Sequence, residues 1–137
     1  MFLLVPAAIA VLAAAGIARA SAADLVASCH TSLPAASFAP AKIPEGWAGV
    51  MRGPLHLDGA GMMAGPPSEM EYLVPDRQGR DNQVFDFQAG DRQRWLWCGY
   101  SGGAQLSRRM DDQATKCTLT TRGKRGESMS AAVKCSK

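Results

Sequence analysis

The chain has 137 residues, 47% of them hydrophobic and 20% charged, a balance that excludes a disordered polypeptide and leaves room for a single domain. Its formal charge of +3, with acidic residues spread among the basic ones, is too weak a field for a nucleic-acid partner.

Met1 to Ile17 carries no charged side chain and leads into Ala18-Arg19-Ala20-Ser21-Ala22, small residues in the spacing a signal peptidase cleaves. This predicts a signal peptide over residues 1–22, cut within Ala20 to Ala23. A run of about 17 apolar residues broken by Pro6 is short for a membrane span, which takes about 20. No integral membrane span is expected after cleavage, and residues 23–137 read as one secreted or periplasmic domain. Lipidation at Cys29 is the minor alternative, since Arg19 and Asp24 separate that cysteine from the apolar run.

From Ala23 to Pro44 the chain reads as an entry strand or extended arm, because Pro34, Pro40 and Pro44 remove backbone donors at short intervals. Ile43 to Trp47 is a predicted turn. Trp47 to Arg52 reads as a strand, ended by Gly53-Pro54. Leu55-His56-Leu57-Asp58 alternates strictly, as a half-buried strand does, and Gly59 and Gly61 permit a bulge or a close backbone approach. Pro66-Pro67-Ser68-Glu69 suits the start of a short helix, with Met70 and Leu73 inward. Arg77 to Asn82 is polar loop, and Val84, Phe85 and Phe87 form a further strand.

Arg94-Trp95-Leu96-Trp97-Cys98, followed by Gly99-Tyr100 and the turn Ser101-Gly102-Gly103, predicts a hairpin whose indoles serve as the core. A charged connection through Arg108, Arg109, Asp111 and Asp112 leads to a terminal hairpin. Its arms are Cys117 to Thr121 and Met129 to Cys135, and its tip is the basic loop Arg122 to Glu127. The expected fold is mainly β (β-rich α+β): a small antiparallel sheet or partly open barrel of six or seven short strands with one short helix, stapled by disulfides.

Cys29, Cys98, Cys117 and Cys135 form an even set with no C-x-x-C pair, which favours two structural disulfides over a redox dithiol or a zinc ribbon. The terminal hairpin places 117 near 135, leaving 29 with 98. The pairing 98 with 117 and 29 with 135 stays open.

Gly65-Pro66-Pro67-Ser68-Glu69-Met70 leading to Leu73-Val74-Pro75-Asp76, then Trp95-Leu96-Trp97-Cys98-Gly99-Tyr100, Leu106-Ser107, Cys117-Thr118-Leu119-Thr120 and Pro44-Glu45-Gly46-Trp47 together resemble the STY locus-tag family of small exported bacterial proteins. The resemblance implies a signal peptide, a single secreted domain and cysteines near these positions. This chain departs from the family's pattern at Gln83-Val84-Phe85, where an aromatic-rich strand with Trp is usual, and at Met62-Met63, where a bulky aromatic is usual.

His56 and Asp58 share the polar face of one strand and could be joined by a serine in a hydrolase triad, but no G-x-S-x-G elbow accompanies them. Ser101 is explained by its turn. Met62, Met63 and Met70 with His56 could serve Cu(I), yet methionines beside strands more often fill a core. No cofactor or metal is expected, and no enzyme. Two binding functions remain. The chain reads first as a non-catalytic module, of inhibitor or immunity type, for another exported or envelope protein. The alternative is a binder of small molecules or the envelope surface, using Gly59 to Met63 and the tryptophan face as a pocket. The candidate binding surface comprises His56, Asp58, Met62, Met63, Arg122, Lys124 and Arg125.

Overall fold

The last seven residues of the terminal hairpin show how the sequence writes its fold. In Ser130-Ala131-Ala132-Val133-Lys134-Cys135-Ser136, Ala131, Val133 and Cys135 are buried and the residues between them exposed, the period of two that a strand imposes. The computed structural model describes residues 24–40, 42–88 and 92–137, so the predicted signal peptide lies outside the described residues.

Those residues form nine strands: β1 Val26–Ser28, β2 Ser32–Leu33, β3 Leu55–Ala64, β4 Arg77–Gln78, β5 Asn82–Asp86, β6 Arg94–Tyr100, β7 Gln105–Arg109, β8 Lys116–Arg122 and β9 Ser130–Ser136. They make two sheets, one in the order β1-β9-β8-β5-β4 and the other in the order β2-β3-β6-β7. Every pairing between these strands is antiparallel. The β-rich, disulfide-stapled class read from the sequence is therefore the observed one. The count exceeds six or seven because β2 and β4 are two-residue pairings too short to leave a pattern.

Leu57, Met62, Leu96 and Tyr100 of one sheet and Phe85, Cys117, Leu119, Val133 and Cys135 of the other share a single core. Burying a side chain such as Leu119 or Val133 contributes about 1.5–3 kcal/mol. One disulfide joins Cys117 to Cys135, which lie directly opposite each other on β8 and β9. The other joins Cys29, just beyond β1 of the five-stranded sheet, to Cys98 on β6 of the four-stranded sheet. It ties the two sheets together across the core.

Four expected elements differ. Trp47 to Arg52 forms no strand, because prolines on both sides leave it without a partner edge. The expected helix is a single 3-10 turn, Pro67–Glu69, after which Met70 takes the left-handed region at φ 52° and points to solvent. Two prolines start that turn, and the chain then extends: the Leu73 N–H donates to Met62 O at 3.0 Å and the Ala64 N–H to Glu71 O at 3.0 Å. Residues 71–73 thus lie along an edge of β3, which captures them before a helix can grow. Within the expected loop Arg77 to Asn82, Arg77 and Gln78 form β4 and pair with Val84 and Gln83 of β5.

The fourth difference is the face that the tryptophans occupy. In β6 the buried positions are Arg94, Leu96, Cys98 and Tyr100, while Trp95 and Trp97 fall on the opposite, outer face and are only half-buried. Arg94 takes the inward position an indole was expected to hold. Its guanidinium is sequestered at a cost that it offsets by donating to the carbonyls of Arg92 at 2.7 Å, Ala114 at 3.1 Å and Gln88 at 3.1 Å, with the Phe87 ring 4.7 Å away.

Candidate functional site

The outer face of the four-stranded sheet is organised by Trp97. Its neighbours in the β3–β6 register are glycines: Gly61 lies opposite Trp97, and Gly59 lies opposite Gly99. A Cβ on Gly61 would stand 2.5 Å from the indole nitrogen, one on Gly99 3.1 Å from the ring and one on Gly59 3.3 Å from it. Only a glycine floor lets the indole approach the backbone this closely. The register shift between Leu57 and Gly59 is what aligns these glycines with the ring.

Tyr72 closes the other side. Its ring meets Trp97 edge to face, with centroids 5.5 Å apart and planes at 86°. Its hydroxyl donates to Gln105 Oε1 at 2.7 Å, and the Gln105 amide in turn donates to Ser107 Oγ at 3.2 Å. Tyr72 is fixed from below by its bridge to Met63, while Arg92 pairs with both Glu69 and Glu71 and holds the preceding turn in place. A groove of about 490 Å³ opens beside this pair, lined by Tyr72, Leu73, Pro75, Gln83, Trp97, Gln105 and Arg125 among others. Met70 is 64% and Val74 87% exposed, and Val74 lines a separate recess with Glu71, Asp76 and Phe85.

The residues expected to form a binding surface separate here. Met62 and Met63 are both 0% exposed. Met62 faces the shared core, and Met63 lies on the outer side beneath the Tyr72 segment and Gln105. Arg125 does reach the groove, because the Gly126 N–H donates to Leu57 O at 3.0 Å and ties the hairpin tip to β3. Asp58 is half-buried beside the Trp97 ring, its Oδ1 3.5 Å from where a Gly99 Cβ would stand. Arg122 lines a separate recess with Thr31, Thr120 and Ser130, and Lys124 pairs with Glu127 at 2.9 Å. His56 is half-buried on β3, and its backbone N–H donates to Ser101 Oγ at 3.0 Å. That bond occupies the Ser101 hydroxyl as an acceptor in its turn, and no hydrogen bond joins the His56 ring to Asp58 or to a serine among the described residues. No three His, Cys, Asp or Glu side chains are grouped to hold a metal among the described residues.

Sequence reasoning missed Tyr72, Gln83 and Gln105. Their signal was present in Gly59, Gly61 and Gly99, three small residues facing one indole, but reading it requires the β3–β6 register.

A wedged aromatic pair with a few orienting polar groups has the chemistry common at the centre of protein–protein contacts. The family model described as the type VI secretion system Tli immunity protein matches residues 52–136, which includes β3 to β9 and every residue of the groove. No curated protein and no solved structure matches the chain.

Proposed function

Since this chain belongs to the Tli immunity protein family of the type VI secretion system, we propose that it neutralises its effector by seating it on the Trp97 face. Members of an immunity family bind and inhibit an effector and are not enzymes, so the chain is a non-catalytic protein-binding module. The observation that carries the choice of face is the half-buried Trp97 held between its glycine floor and Tyr72, beside the groove that Leu73, Gln105 and Arg125 line. Preorganised aromatic rings lose little freedom on binding, so the area they bury goes further towards affinity. Arg125, Gln83 and Gln105 line the groove and orient the partner, with Arg125 suited to an acidic side chain or a carbonyl of the effector.

The encounter takes place in the periplasm. The apolar N-terminal stretch and the two disulfides support this location. No helix of the described residues is long and apolar enough to cross a membrane.

The test is calorimetry with the purified effector, comparing wild type with Arg125→Glu. Arg125 is exposed and lines the groove, so the substitution leaves the fold intact while reversing the charge that faces the effector. Binding weakened by about 30-fold or more supports the assignment, and unchanged affinity removes the face from the interface.

A further inference from the structure

Residues 39, 40 and 42–50 pose a question that the core does not answer. On one side of this segment Phe38, and on the other Met51, pack against the core, yet between them Trp47 is 76% and Val50 83% exposed. A chain free to bury its large apolar side chains has left an indole, its largest, in water.

The segment is nonetheless shaped. Its ends meet where Gly53 passes Ala35, so closely that a Cβ on Gly53 would lie 2.7 Å from the Ala35 Cβ. Its middle folds on itself: Gly49 nestles against Ile43 and Pro40, at 3.0 and 3.2 Å from a Cβ placed there. The tip is a turn in which the Trp47 N–H donates to Pro44 O at 3.1 Å and Gly46 takes φ +82°, with open space around it. Pro40 and Pro44 fix backbone angles in the arm. The result is a loop whose ends are close and which is packed by its own side chains, the form in which surface loops commonly carry function.

We infer that this loop is a second contact arm, presenting Trp47 as an anchor that enters an apolar cavity of the effector. The inference rests on the immunity reading above, which supplies the occupant: the partner of such a chain is a protein. Lys42 and Glu45 carry opposite charges on the arm, so the contact is expected to be driven by the indole and Val50 rather than by a net field. The arm precedes residue 52, where the family match begins, so it adds a contact outside the matched domain.

The experiment uses the intact chain and the purified effector, comparing wild type, Trp47→Ala and Trp47→Phe by calorimetry, with thermal melts and sedimentation of each variant alone. Trp47 is not among the residues packed on the core, so the melting temperature stays unchanged. Trp47→Ala weakens effector binding about 30-fold or more, and Trp47→Phe recovers most of the loss. Equal affinity of Trp47→Ala and wild type overturns the anchor and leaves the Trp97 face standing. A wild-type dimer that Trp47→Ala dissolves, with effector binding unaltered, also overturns it and assigns the arm to a second copy of this chain. If wild type itself fails to bind the effector, the immunity reading falls first.

Discussion

Gly61 decides where Trp97 goes. With a Cβ due 2.5 Å from the indole nitrogen, Gly61→Ala must push the ring off its floor, as overpacking does, at a cost of about 1–3 kcal/mol. Urea melts should show that loss, accompanied by a red-shifted tryptophan emission as the ring moves into water; unchanged emission would refute the glycine floor. Tyr100 carries the clearest pH signature. Burial pushes its phenol above the ordinary value of 10.0, while its hydroxyl donates to His30 O at 2.8 Å. The folded state therefore favours the neutral form. Its contribution is complete below the unfolded value near 10 and drains away as pH rises through the higher folded value. Denaturant melts from pH 8 upward should show an alkaline decline in wild type that is smaller in Tyr100→Phe.

At the scale of elements, the two staples differ in the span they close. Cys29 and Cys98 are 69 residues apart and Cys117 and Cys135 only 18, so chain entropy assigns the first bridge about 4 kcal/mol and the second about 3. Paired Cys→Ser variants should lose stability in that order in urea, and the reverse order would place the weight on local geometry instead. The β8–β9 hairpin was legible in the sequence, because Thr118, Leu119 and Val133 alternate around a glycine-rich tip and bring 117 opposite 135. The helix expected at Pro66 was not legible as an extended segment, since only the edge of β3 decides between the two. Trp95 and Trp97 misled for a related reason. Alternation says that two positions share a face, but it does not say which face looks inward, and Arg94, unusual in a core, holds the inner row. The groove was legible only in part: Arg125 was singled out, while Tyr72 and Gln105 became visible only through the long-range pairing that sets them beside Trp97.

For the whole molecule, two sheets and an inter-sheet disulfide make a rigid carrier for the Trp97 face and the Trp47 arm. The fold has buried an arginine and left all three indoles at least partly accessible, an arrangement suited to receiving another protein. The measurement that bears most directly on this account is hydrogen exchange of the intact chain, free and bound to its effector. Slowed exchange in the complex concentrated at residues 72–75, 83, 95–99 and 125, with β1 and β9 unaltered, is the result expected. Protection confined to β8 and β9, with the Trp97 face exchanging as fast as in the free protein, would contradict it.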